Sequence, residues 1–200
     1  MSGCLEMMYE RLTAFLLGNL AFDDVSVILE AGCGGGQLTI PFVKGVSKIK
    51  ENLKVIAFDI SAGPYEGDLE ILKDRIRKER LEALVFSVKG DVRDMKEMAG
   101  ESVDLIISNE LLCDLDKKGL EKALQEFYRI LRRGGMMAHG ELNPIPENEA
   151  QRLLVRADAY SIESLRPKPK WFSPFSDEVA ALMHKIGFND ITVKYFETGI

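Results

Sequence analysis

The stretch Val27-Ile-Leu-Glu-Ala-Gly-Cys-Gly-Gly-Gly-Gln-Leu-Thr39 constrains this chain more than any other. An apolar run from Val25 to Leu29 lies between Asp23-Asp24 and a set of glycines, the pattern of a short strand buried on both faces. Gly32, Gly34, Gly35 and Gly36 then permit a tight turn and close backbone approach to a ligand. Leu38 to Val46 opens a helix, with Pro41 tolerable in its first turns. A strand, a glycine loop and a helix N-terminus in that order make the ligand cradle of doubly wound α/β folds.

Two ligands compete for such a cradle. A dinucleotide fingerprint needs Gly-x-Gly-x-x-Gly, but the sixth position is Gln37 counting from Gly32 and Thr39 counting from Gly34. Glu30, at the end of the strand, disfavours a pyrophosphate and suits a cationic or zwitterionic ligand such as S-adenosylmethionine (SAM), which carries a sulfonium and an ammonium. Glu30-Ala-Gly-Cys-Gly-Gly-Gly resembles the first motif of class I SAM-dependent methyltransferases, E/D-x-G-x-G-x-G. The resemblance implies cofactor contacts from Glu30, Gly32, Gly34 and Gln37.

Two hundred residues make one domain, 1–200, the expectation. With 46% hydrophobic and 29% charged residues, the composition is that of a soluble globular protein. A net charge of −6 argues against a nucleic-acid groove. No basic start precedes an apolar core, and no apolar run is long enough to span a bilayer. Cys4, Cys33 and Cys113 are few and widely spaced, without a metal pattern, which suits a reduced, cytoplasmic compartment.

Leu5, Met8, Leu12, Phe15, Leu16 and Leu20 predict an amphipathic helix over 4–20. After the glycine loop and a helix over 38–50, the pattern predicts a strand from Asn52 to Phe58 and a charged surface helix from Asp68 to Leu84. A strand from Ala83 to Lys89 and another from Val103 to Ser108 follow. Asp116 caps a helix with Leu120, Leu124, Phe127 and Leu131 on one face, ending at Gly134-Gly135 before a strand from Met136 to Leu142. Alternating strands and helices give a Rossmann-like, mostly parallel sheet covered on both faces. Residues 144–173 break the rhythm with prolines at both ends, Tyr160 within and Trp171-Phe172 at the close; they form the expected substrate cap. Ser173-Pro174 starts a helix to Ile186, and Ile191 to Phe196 reads as a sixth, last strand.

Asp59 closes the second strand, where an acid accepts both ribose hydroxyls of an adenosyl group, and Ile60 after it is placed to pack on the adenine. The family resemblance extends to three more motifs. Gly90-Asp91-Val92 matches the turn whose acid binds the adenine amino group and whose next N–H meets the ring, with Asp94 a weaker alternative to Asp91. Val103-Asp-Leu-Ile-Ile-Ser-Asn109-Glu110 matches the fourth motif, placing Ser108 and Asn109 at the methyl-donor end. Leu131-Arg-Arg-Gly-Gly resembles the L-x-P-G-G turn, with Arg133 in place of proline. The C-terminal pattern is similar to the small-molecule branch that includes quinone-biosynthesis methyltransferases.

The departures narrow the acceptor. Asn109 is followed by Glu110-Leu111-Leu112, so the proline turn of base-amine methyltransferases is missing, and Glu110 stands without the second glutamate of arginine methyltransferases. The expected function is methyl transfer to a small-molecule acceptor, the alternative a SAM-binding regulatory or scaffold subunit, with a nicotinamide-dependent enzyme third. Glu110, Asp114, His139 and Tyr160 are the candidates for a general base, none with a distinguishing context; His139 reads more readily as a satisfied core or rim histidine. No metal site is expected. The C-terminal part is short for the family: a shortened member, a chain cut before its natural end, or a subunit whose sheet edge is covered by a homodimer mate or another partner.

Overall fold

The computed structural model describes residues 2–142, 145–146, 148–153, 156–157 and 176–197. Five strands, β1 (Val27–Ala31), β2 (Lys54–Asp59), β3 (Val85–Lys89), β4 (Val103–Asn109) and β5 (Leu131–Gly140), pair in the order β3-β2-β1-β4-β5. All four pairings are parallel. The chain winds outward from β1 to β3, then returns to the other side of β1 with β4. That reversal puts a topological switch between β1 and β4, where ligands bind at the carboxyl ends of the strands.

The helices segregate by face. α1 (Ser2–Asn19), α2 (Thr39–Val46) and α3 (Asp68–Lys78) cover one side, where Phe42, Val43, Leu69 and Leu72 meet Ile28, Val55, Leu105 and Ile107. α4 (Lys117–Ile130) and α5 (Ser176–Ile186) cover the other, where Leu124 and Phe127 meet Leu29, Val103 and Ile106. The strand interiors are therefore apolar without alternation, as burial on both faces requires. α1 lies close against α2 because Gly45 has no side chain: a Cβ there would sit 2.5 Å from Leu17 Cδ1. The face that α1 buries is Tyr9, Leu12, Leu16 and Leu17, with Leu20 just past its end; Leu5 is exposed. Asp116 caps α4 as expected, its Oδ1 accepting the Gly119 N–H at 2.7 Å.

Several expected boundaries move. β1 starts and ends two residues later than its apolar run suggests, so Glu30 and Ala31 lie inside it. α2 stops at Val46, and α3 stops at Lys78 because Arg80 takes a left-handed conformation (φ 58°). Leu81 still reaches the core beyond that turn. β5 begins at Leu131, so the Leu131-Arg-Arg-Gly-Gly stretch is absorbed into the strand as an irregularity between the Val103 and Leu105 pairings. The sixth strand does not form: residues 191–197 pair with no strand of the sheet. Their side chains are anchored one at a time instead. Ile191 packs with the α4 face, Phe196 meets Phe15 of α1 at 5.1 Å between ring centres, and Lys194 donates to Asn19 Oδ1. Held from both faces, the segment passes the sheet rather than joining it. No helix among the described residues is long and apolar enough to cross a membrane.

Candidate functional site

The glycine loop is fastened to the end of β2. Gly32 and Cys33 both donate their N–H to Phe58 O (2.8 and 3.2 Å), and Gly34 N donates to Asp59 Oδ2 at 2.9 Å. Asp59 Oδ1 accepts the Ser61 N–H at 2.7 Å, so this buried carboxylate joins the loop after β1 to the turn after β2. Each oxygen keeps a lone pair for a ligand hydroxyl.

The glycines divide by what they face. A Cβ at Gly32 would lie 2.9 Å from Leu111 Cδ1, and one at Gly36 2.5 Å from Leu72 Cδ1; both admit protein against protein. At Gly34 (φ 49°) the nearest atoms to a Cβ would be Asp68 Oδ2 and Gln37 Oε1, at 3.6 and 3.7 Å. Gly34 is thus the position where backbone lies open towards a ligand, with Gln37 and Asp68 at its sides.

Glu30 lies beside this loop, 2% exposed, and its Oε2 has no hydrogen-bond partner. Burial pushes its carboxyl up to about 8; the Thr39 hydroxyl pulls downward and the Asp59 charge upward. Thr39 Oγ1 is itself buried, and its approach to Glu30 falls short of a well-formed hydrogen bond. At neutral pH burial therefore favours the protonated form of the ligand-free Glu30. A cation arriving beside it restores the charge by displacing the proton. Burial raises Asp68 too, with Asp59 adding to the effect.

The remaining candidates spread around the same edge. Ile60, 39% exposed, follows Asp59 at the mouth, and Val92 is buried in the α4-side core. Asp91 is gripped by Arg93, which donates Nε to Oδ1 at 2.8 Å and Nη2 to Oδ2 at 2.6 Å, holding the carboxyl below its usual range. An adenine amino group would have to share Asp91 with that guanidinium. Asp94 pairs with Lys96 at 3.3 Å. Ser108 and Asn109 end β4, and the Asn109 amide lies against Gly140, where a Cβ would be 2.7 Å from Oδ1. Glu110 has a left-handed backbone (φ 51°) and donates its N–H to Gly140 O at 2.8 Å. His139 sits next to Ser108 in the β4–β5 register, its Nδ1 2.6 Å from Ser108 Oγ and its Nε2 2.9 Å from Glu141 Oε1. With both ring nitrogens engaged, His139 is the satisfied histidine that its position in the chain suggests. Tyr160, Trp171 and Phe172 lie outside the described residues, as does most of the expected cap.

Some neighbours carry no motif. The half-buried Tyr9 hydroxyl of α1 is pushed up by burial and then by the charges of Glu110 and Glu30. Tyr65 donates its hydroxyl to Asp114 Oδ2 at 2.6 Å, and Glu141 accepts the N–H groups of Leu112 and Cys113. A signal for Glu141 was present in the alternation that puts it two residues after His139; Tyr9 and Tyr65 had none. Burial raises the Cys33 and Cys113 thiols, which disfavours their thiolate forms. The open glycine, the Asp59 carboxylate and a buried oxygen awaiting a donor together fit an adenosyl ligand with a cationic amino-acid end.

Residues 28–135 match the family model described as a methyltransferase domain. The chain is 28% identical over 143 residues to carboxy-S-adenosyl-L-methionine synthase of Shewanella sediminis, covering 68% of this chain and 55% of that one. It therefore spans about half the length of this curated relative. Among solved structures, PigF bound to S-adenosylhomocysteine (SAH) superposes with a TM-score of 0.69 at 17% identity, over 92% of this chain and 51% of that chain. A SAM-dependent methyltransferase from Archaeoglobus fulgidus gives a TM-score of 0.65 at 18% identity, over 94% and 73% of the two chains. At these identities the solved structures share the fold, and a fold alone does not carry a reaction. The expected Rossmann-like fold, the family resemblance and SAM as cofactor agree with these findings.

Proposed function

We propose that this chain, which belongs to the methyltransferase-domain family, binds SAM in the Gly34 cradle and methylates a small-molecule acceptor at the carboxyl edge of β4. Bound there, SAM supplies an electrophilic methyl on a sulfonium, already a good leaving group. The protein's part is to hold the acceptor in line at roughly 3–3.5 Å and to keep water out.

The observation that carries the cofactor assignment is the buried, unpartnered Oε2 of Glu30 beside Gly34, the most open glycine of the loop. Glu30 receives the ammonium, Gly32, Gly34 and Gln37 line the amino-acid end, and Asp59 holds the ribose hydroxyls. Ile60 and the Val92 N–H meet the adenine, Asp91 takes its amino group, and Ser108 and Asn109 border the methyl-donor end. Glu110 and Tyr9 face the acceptor. If the acceptor must lose a proton, Glu110 is the base. Residues 144–173 are the cap of the one domain, and the free thiols of Cys33 and Cys113 support a cytoplasmic setting. Among the described residues β5 pairs only with β4, so a homodimer mate or other partner would add at that edge.

A screen of small-molecule pools with radiolabelled SAM tests this: label should move to an acceptor as SAH accumulates. One observation favours a second reading, the similarity to a protein named for making carboxy-SAM. There SAM itself would be the molecule altered, and mass spectrometry of the recovered cofactor separates the two outcomes. A role without turnover gains no support from the family.

A further inference from the structure

Ser108, His139 and Glu141 form one hydrogen-bonded row at the carboxyl ends of β4 and β5. Burial alone would raise the Glu141 carboxyl, but the His139 hydrogen bond and charge and the Cys113 N–H outweigh it and hold the group low. An ionised Glu141 only accepts, so His139 donates from Nε2, while its Nδ1 pairs with the Ser108 hydroxyl. The two contacts orient the ring. The same Glu141 Oε1 accepts the N–H groups of Leu112 and Cys113 at 2.8 and 3.1 Å. It thereby grips the short 3-10 turn Leu112–Asp114 through its backbone.

Asp114 ends that turn and accepts the Tyr65 hydroxyl at 2.6 Å. Tyr65 ends another 3-10 turn, Gly63–Tyr65, which follows β2. In the sheet β1 lies between β2 and β4, so the Tyr65–Asp114 bond spans the end of β1, where the glycine loop sits. A single path runs from Ser108 through His139, Glu141 and the 112–114 turn to Tyr65, and its last link crosses the cradle.

We propose that Glu141 is a positioning residue: by gripping the 112–114 turn it holds Asp114 to Tyr65, closing a strap over the cradle that sets how fast the adenosyl ligand leaves. The proposal rests on the cradle binding SAM and SAH. Glu141 touches no ligand atom in this account, and His139 acts only by orienting it.

The test is the SAH release rate, measured by stopped-flow displacement in the wild type and in Glu141→Ala, Glu141→Gln, Tyr65→Phe, Asp114→Asn and the Glu141→Ala/Tyr65→Phe double variant. Loss of a charge-assisted link should speed release about tenfold in Tyr65→Phe, and by as much in Glu141→Ala. The double variant should release no faster than Glu141→Ala, since both changes open one strap. Glu141→Gln keeps a carbonyl acceptor and should recover much of the loss. Wild-type rates in Tyr65→Phe and Asp114→Asn, or effects that multiply in the double variant, overturn the proposal. Should Glu141→Ala fail to fold, Tyr65→Phe and Asp114→Asn decide by themselves. A wild type that binds no SAH refutes the cofactor assignment and the strap with it, whereas a wild type that binds while every variant releases normally refutes the strap alone.

Discussion

Asp59 Oδ2 and the Gly34 N–H are 2.9 Å apart, so the acid that ends β2 and the glycine loop that follows β1 are one piece of structure. The contact makes Asp59 the fastening of the cradle, in addition to the ribose contact proposed for it. Asp59→Ala should weaken SAM binding by about 1.5–3 kcal/mol, the range for hydrogen bonds to a charged group, or more than tenfold in affinity. Calorimetry finding equal affinities would take Asp59 out of the site. NADH bound more tightly than SAM by the wild type would overturn the cofactor itself.

Gly34→Val should abolish binding where Cys33→Ala does little. At φ 49° a β-branched residue is strained, and its side chain would fill the open space between Gln37 and Asp68. The comparison holds if both variants keep their far-UV signal and melt cooperatively. Normal SAM affinity in Gly34→Val would mean that the ligand lies elsewhere.

Glu30 predicts a stability that depends on pH in the ligand-free protein. Its folded carboxyl, near 8, lies above its unfolded value. The stability tied to its proton is thus complete below the ordinary carboxylate range and is lost as pH rises towards about 8. Glu30→Gln removes the titration, so the variant should gain on the wild type across that window. The gain should reach about 1–3 kcal/mol, the usual cost of a buried polar group without a partner. It should be bought with weaker SAM binding. Thermal melts from pH 5 to 9 that run parallel for the two proteins would refute the assignment.

Asp116→Ala tests the fold apart from the site. Losing the Gly119 cap should cost about 1 kcal/mol and lower the melting temperature by a few degrees. SAM affinity should not change; a large loss of affinity would show that α4 positions the cradle more directly than its cap contact implies.

The layout of the fold was legible because strands buried on both faces read as unbroken apolar runs, and because Asp116 and Gly34 have chemistry that few other residues supply. Glu30 and Asp59 were legible for the same reason: an acid at the end of a buried strand asks for a partner. Arg93 was not, since a surface arginine two residues from an acid has many solvated alternatives. Nor was the fate of 191–197, whose apolar pattern suits a strand while its actual anchors, Phe15 and Asn19, lie far away in sequence. Tyr65 escaped because its contact with Asp114 joins loops from different crossovers, which no local period encodes.

The approach of Leu111 to Gly32 limits how this scaffold can diversify. Any side chain at 32 pushes against the loop that follows β4, and any bulkier residue at 111 pushes against the glycine loop. A larger residue at 32 therefore needs a smaller one at 111, and the positive φ of Gly32 (71°) strains it even then. The loop after β1 and the loop after β4 thus meet at one leucine, and a change in either is felt by both.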